Sequence, residues 1–179
     1  MKKLFFVLIV LSGLGYIMNA QSSSEIDSQK FYTAFSSVLE ESDNNFKDII
    51  SDTKVHGSWG NEKIVIDFPG AEVAYYEYWY DDGQSCNSVV VQYFKGNDFE
   101  KASNYHIFLK TCLINMKDQN KFGTWVLNED IHSDGTFYWI DMHSTSYPDL
   151  SVTLSCSLYE DNQNIELKFE LIEGEYSGY

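Results

Sequence analysis

Two segments of this chain alternate so regularly that they admit one structural reading. Leu150, Val152, Leu154, Cys156 and Leu158 occupy one parity while Ser151, Thr153, Ser155 and Ser157 occupy the other. Ile165, Leu167, Phe169 and Leu171 likewise oppose Glu166, Lys168 and Glu170. A period of two marks half-buried strands. Burying the serine and carboxylate parity under a second layer would leave polar groups unpaired, so the apolar parity meets that layer and the polar parity is open.

The layer that covers them is helical. From Ser28, the residues Phe31, Phe35, Val38, Leu39, Phe46, Ile49 and Ile50 fall largely on one stripe, with a bend expected over residues 40–45. A second helix is announced by Gly96-Asn97-Asp98, with Glu100 as capping-box partner to Asn97, and by the face Tyr105, Phe108, Leu109, Cys112 and Met116. Strands are expected at 64–68, 72–80 and 88–94 after the first helix, and at 122–127, 136–143, 150–159 and 165–172 after the second. Pro69-Gly70, Asp81-Asp82-Gly83 and Ser133-Asp134-Gly135 supply turns.

The halves overlay. Ile64-Val65-Ile66-Asp67-Phe68 matches Tyr138-Trp139-Ile140-Asp141-Met142, Trp79-Tyr80-Asp81-Asp82 matches Leu158-Tyr159-Glu160-Asp161, and residues 91–96 match 169–174. The expected fold class is α+β: two αβββ-type repeats, 28–96 and 97–173, forming a six- to eight-stranded antiparallel sheet with helices on one face. A leader at 21–27 precedes this domain and a tail at 174–179 follows it.

Before the leader, Lys2 and Lys3 precede the apolar run Leu4 to Leu11, then glycines, then Met18-Asn19-Ala20. That order reads as a secretory signal peptide at 1–20, cleaved near Ala20, which sends the protein to the periplasm or outside the cell. The run is short for a retained spanning anchor, and no later stretch is long enough to insert in a membrane. Removing Lys2 and Lys3 leaves ten lysines against 27 carboxylates, a formal charge of −17. Such a chain is repelled by nucleic-acid phosphates and anionic lipid, whereas it attracts a basic protein surface.

Three cysteines is an odd number for an oxidising compartment. Cys112 and Cys156 both carry core-facing parity and are a possible disulfide, with three ordinary buried thiols as the alternative. Cys86 lies on the open parity near a turn.

Carrying the register of the last two strands into the first half places Val73, Tyr75 and Trp79 with Val89, Val91 and Tyr93 inside. Tyr76, Tyr78, Tyr80, Val65, Val90 and Phe94 then face outward, joined by Trp139 and Phe137. An aromatic patch of that kind reads as a partner-binding surface, bordered by Asp81 and Asp82. Glu77 falls on the apolar parity, which calls for a sheet edge or a bulge there.

No phosphate loop, zinc-ligand spacing or nucleophile elbow is present, so the expectation is a protein without catalytic residues, metal or cofactor. The nearest approach to chemistry is Asp141 and His143 on one strand with His132 across a hairpin, a weak signal that ordinary surface polarity on a hairpin explains better. In organisation, with helix plus antiparallel strands occurring twice and tyrosines on a sheet face, the chain resembles the β-lactamase inhibitory proteins. It is similar also to the small acidic periplasmic immunity proteins of bacterial toxin–antitoxin systems. The resemblance implies an exported immunity or inhibitor protein that occludes a basic-surfaced toxin or effector enzyme. The alternatives are a glycan or small-molecule binder that stacks rings on the same aromatics, and a hydrolase of unrecognised type.

Overall fold

The computed structural model describes residues 27–55, 61–81, 84–131, 137–159 and 164–174. The signal segment, residues 21–26 of the leader, residues 175–179 of the tail, Asp82 and His132 lie outside the described residues. Helix α1 spans Ser28–Glu40 and two short 3-10 turns follow at Ser42–Asn44 and Lys47–Ile49. Then come β1 (Ile50–Lys54), β2 (Glu62–Ile64), β3 (Val73–Asp81) and β4 (Gln84–Gly96). Helix α2 (Phe99–Asp118) leads to β5 (Trp125–Ile131), β6 (Phe137–Ser144), β7 (Leu150–Tyr159) and β8 (Asn164–Glu173).

The eight strands form one antiparallel sheet in the order β1-β2-β3-β4-β8-β7-β6-β5. Each of these helices is followed by four strands, as expected after the second and one more than expected after the first. The additional strand in the first half is β1, whose Ile50 had fallen on the helical stripe. Asn45 and Phe46 both take φ of 60°, a left-handed conformation that ends the helical path before Ile49 and Ile50. Phe46 tolerates it because its ring is wholly buried in the core.

Both helices cover one face. On α1, Phe31 packs edge-on against Phe169 of β8 with ring centroids 5.5 Å apart, and Phe35 reaches Trp125 at the start of β5. On α2, Tyr105 packs on Tyr93 of β4. The helices also touch each other, Tyr32 donating its hydroxyl to the Cys112 carbonyl at 3.3 Å. Burying each such large apolar side chain stabilises the fold by roughly 1.5–3 kcal/mol. Asp27 caps α1 through the Gln29 amide, and Asp98, not Asn97, caps α2 through the Lys101 amide.

Cys112 and Cys156 are separate buried thiols, the second of the two alternatives that the sequence leaves open. Cys112 lies on the part of α2 that touches Tyr32, whereas Cys156 sits opposite Tyr138 and Leu167 in the sheet. Burial pushes both thiols up to about 12.

The alternation of β7 and β8 is as expected, with Leu154, Phe169 and their neighbours beneath the helices. In β4, the register against β8 shifts between Gln92 and Phe94, so that Phe94 pairs with Leu167 and Lys95 with Glu166. This bulge inserts Tyr93 as an extra residue and buries both Tyr93 and Phe94 in the core. Phe94 therefore does not face outward, and its ring instead lies under the Lys101 ammonium at 5.7 Å.

The start of β4 is closed by Gly174, whose φ of +138° and cramped surroundings leave no room for a side chain. A Cβ there would lie 2.9 Å from the Ser85 carbonyl oxygen and 3.1 Å from Cys86 Sγ. Gly174→Ala is expected to destabilise the protein by about 1–3 kcal/mol, measured as a lower denaturation midpoint with an unchanged denaturant slope.

Candidate functional site

The helix-free face of the sheet is where the polar parities of six strands meet. Reading across from β3 through β4, β8, β7 and β6 to β5, one row is Tyr75, Val90, Glu170, Thr153, Asp141 and Asn128. The row on one side of it is Val73, Gln92, Lys168, Ser155, Trp139 and Asp130. On the other side lie Glu77, Ser88, Ile172, Ser151, His143 and Val126. Among the described residues no helix packs on this face, yet its centre is shielded: Ser88, Val90, Cys86, Ile172 and Ser151 are all buried.

The expected aromatic platform divides between the two faces. Tyr76 pairs with Val89 in the sheet, which puts Tyr76, Tyr78 and Tyr80 on the helix side of β3 and Val73, Tyr75, Glu77 and Trp79 on the open side. The signal for that register is Glu77, since the parity that holds a carboxylate is the one that can reach water or a partner. Tyr76 is half-buried and donates a 2.6 Å hydrogen bond to Asn87, whose amide nitrogen reaches Asn45 and Glu173. Tyr78 and Tyr80 remain 58% and 68% exposed despite lying on the helical side. Trp139 is on the open face as expected, with Phe137 beside it at 5.1 Å between centroids. Asp81 ends β3 on the open parity.

The open face thus has an aromatic border at Tyr75 and Trp79, a second at Phe137 and Trp139, and between them a floor of serines, threonine and charged groups. Across the floor the two glutamates of β8 differ in kind. Burial would raise the Glu166 carboxyl, but the Tyr159 hydroxyl at 2.8 Å, Lys168 at 3.2 Å and Lys95 at 3.1 Å outweigh it and hold the group below its usual range. Glu170 has no ion pair with any described residue. Burial raises its carboxyl, the Ser88 hydroxyl opposes the rise, Glu77 adds to it and Lys168 opposes it, leaving the group above its ordinary value. The Ser88 hydroxyl forms no hydrogen bond of good geometry, and neither does that of Ser151.

Asp141 accepts a 2.7 Å hydrogen bond from Thr153, and His143 lies two residues along the same strand. His132, the third residue of that trio, lies outside the described residues. Among the described residues no group of three or more His, Cys, Asp or Glu is gathered closely enough to hold a metal ion. No helix among them is long and apolar enough to cross a membrane.

A second titratable cluster, which periodicity does not reveal, lies on the opposite face between α2 and the β5–β6 edge. Lys110 donates to Glu129 at 2.8 Å and to the Tyr138 hydroxyl at 3.1 Å, and the His106 ring packs edge-on against Tyr138 at 4.9 Å. Burial, with Lys110 adding, lowers His106 to about 4 and leaves its Nε2 without a hydrogen-bond partner. Lys110, Glu129 and Tyr138 saturate one another, so the cluster is a buried clamp for the edge strands and leaves nothing directed at a ligand.

Comparison of the chain with protein-family models, with curated proteins and with solved structures gives no match.

Two outcomes follow from these electrostatics. His106 titrates lower in the fold than in the unfolded chain, so stability holds above about pH 6.5 and falls as pH drops toward 4, by at most about 3 kcal/mol. Glu129, held low mainly by Lys110 and Tyr138 against its burial, loses its contribution in the same direction. Thermal melts from pH 7 to 4.5 are expected to fall less steeply in His106→Gln than in the wild type. Glu170 has the opposite sign, its folded carboxyl being raised. Glu170→Gln is therefore expected to stabilise the protein by on the order of 1 kcal/mol at pH 7, with the gain vanishing once acid protonates the wild-type group.

Proposed function

We propose that this chain is an exported protein-binding module of the immunity or inhibitor kind, which docks the helix-free face of its sheet over a basic-surfaced toxin or effector enzyme. The observation that carries the reading is the half-buried carboxylate of Glu170, without an ion pair to any described residue at the centre of an otherwise shielded sheet face. A fold that served no partner at this face would gain stability by replacing that group with a neutral one.

The dimensions support docking. Six strands at about 4.8 Å spacing by some nine residues at about 3.3 Å present on the order of 700 Å², close to the roughly 800 Å² that each side contributes to a standard protein interface. The aromatic borders supply anchors of the type enriched in binding hot spots. The formal net charge of −15 draws a basic partner from a distance and speeds encounter. Residues 1–20 supply the export signal and the periplasm or exterior as the place of action.

A tandem origin fits the same reading. Both halves run helix then four strands and meet at their last strands; of the three segments that overlay, one falls on β4 with β8, one on the ends of β3 and β7, and the third sets β6 against residues 64–68, of which only Ile64 is in a strand. Such doubling yields a sheet broad enough to cover a catalytic cleft, as the resemblance to the β-lactamase inhibitory proteins implies.

The test is capture from a lysate of the producing cell by immobilised wild-type protein, beside Trp139→Ala and the charge reversal Glu170→Lys. The expected result is a basic protein retained by the wild type, at least tenfold depleted in each variant, and inhibited when bound. Recovery of no partner, or equal retention by all three proteins, overturns the reading.

A further inference from the structure

Glu170 does not stand alone. Glu77 pairs with Ser88 across β3 and β4, while Val90, two residues further along β4, pairs with Glu170 of β8. The two carboxylates therefore lie diagonally across β4 with the Ser88 side chain between them on the same face. Glu77 is near enough to raise Glu170, and Glu77, Glu170 and Glu166 together raise the Tyr75 hydroxyl, whose largest perturbation is burial. Tyr75 thus stands over the same corner. Ser88 is 0% exposed, and its hydroxyl lies beside Glu170 without a hydrogen bond of good geometry. Ser151, 4% exposed and likewise without one, flanks it across Ile172.

Buried hydroxyls without well-formed hydrogen bonds and a desolvated carboxylate beside a second one are each costly in isolation. Together they describe a socket with acceptors in place and a donor missing. Among the described residues no lysine forms an ion pair there. Lys168, the nearest along β8, turns to Glu166 at 3.2 Å, and Lys95 does the same at 3.1 Å. The donor set is also wrong for a metal ion, since no three ligating groups converge among the described residues.

We infer that the corner formed by Glu77, Ser88 and Glu170 beneath Tyr75 receives the guanidinium of an arginine presented by the docked protein partner. The inference rests on the reading of this face as a protein-docking surface. A guanidinium carries five N–H donors in a flat fork, enough to engage both carboxylates and the serine oxygen at once. Its plane stacks on an aromatic ring, and it tolerates desolvation better than an ammonium group. Glu77 also accepts a 3.2 Å hydrogen bond from Asn61, on the flank of β3 away from β4. The strongly negative chain accounts for the arrival of the cation, and the geometry for the preference of arginine over lysine.

The test uses isotopically labelled purified protein at pH 7, titrated with N-acetyl-arginine amide and, separately, with N-acetyl-lysine amide. The expected result is saturable shifts confined to residues around Glu77, Ser88 and Glu170, with arginine amide binding several-fold more tightly than lysine amide. Glu170→Gln is expected to weaken arginine amide at least tenfold. Asp130→Asn, an exposed change on the same face, is expected to leave it unaltered. The Glu170→Gln protein is expected to be well folded, so loss of binding is not loss of structure. Shifts spread over the acidic surface, equal response to both amides, or equal affinity in Glu170→Gln would overturn the inference. If a captured partner binds Glu170→Gln as tightly as wild type, the arginine socket falls while docking stands. If arginine amide binds at Glu170 but no protein is captured by the wild type, the docking reading falls and the assignment to a partner's arginine with it.

Discussion

The pairing of β4 with β8 is the contact on which the rest of the molecule depends. Each half of the chain, a helix and four consecutive strands, would by itself end in a long strand with one apolar side and an unpaired edge. Such an edge is an invitation to aggregate. Joining the last strands of the two halves removes both edges at once and merges two small cores into one, with Phe169 of β8 in contact with Phe31, Phe35 and Phe68. The extra residue that β4 carries in this pairing reaches further than its own neighbourhood. By inserting Tyr93, the bulge turns Phe94 into the core and Lys95 onto the open face, where Lys95 meets Glu166. Glu166 then also collects Lys168 and Tyr159. The cations that might have neutralised β8 are concentrated on one of its two glutamates, and Glu170 is left desolvated. One inserted residue in a strand thus decides where the surface is satisfied and where it is not.

How far the fold is legible in the sequence follows from how uniform each strand's two parities are. In β7 and β8 one parity is apolar and the other polar at nearly every position, and a one-residue slip would bury serines and glutamates, so these strands and their faces are read directly. In β3 aromatics sit on both parities, at Tyr75 and Trp79 and at Tyr76, Tyr78 and Tyr80, and hydrophobicity alone does not choose between them. The carboxylate of Glu77 does choose, because the helix–sheet layer would bury it whereas the other face lets it reach water or a partner. Burial of Phe94 has no local sequence signal, since a bulge is a property of two strands in register. Strand β1 is hidden for a different reason: Ile49 and Ile50 extend the helical stripe, and only the left-handed backbone at Asn45 and Phe46 breaks it. An asparagine there is a faint signal for such a break, and a phenylalanine is none.

The candidate site is legible only in its outline. That the face bearing Glu166, Lys168 and Glu170 is open follows from alternation. The difference between Glu166 and Glu170 does not, because it is set by Lys95 from a bulged strand and by Tyr159 from the neighbouring one. Two residues of the same type on the same strand and face acquire opposite shifts through partners more than seventy residues away or across a hairpin. The tyrosines that composition makes prominent are, by the same register, on the wrong face to join Trp139. Sequence pattern places residues on surfaces, whereas pairing decides which of them are left with unspent interaction capacity.

The edges of the sheet sharpen this conclusion by elimination. At one end β1 is only five residues long and is tied to β2 by the Lys54–Glu62 ion pair at 2.6 Å. At the other, β5 carries Asn128, Glu129 and Asp130 in sequence, and Glu129 is drawn inward by the buried Lys110. Short length and charge are how sheets discourage strand addition. Lys110 adds rigidity, since freeing Glu129 would strand an ammonium group among Tyr138 and His106. An association that uses backbone hydrogen bonds at either edge would have to disrupt these devices first. An association through the open face disrupts nothing: its aromatic borders are already in place, every strand beneath its floor except the edge strand β5 is paired on both sides, and its central carboxylate improves its own energy when a cation arrives. Preorganisation of that kind lowers the cost of binding, and it is the face, not the rim, that possesses it.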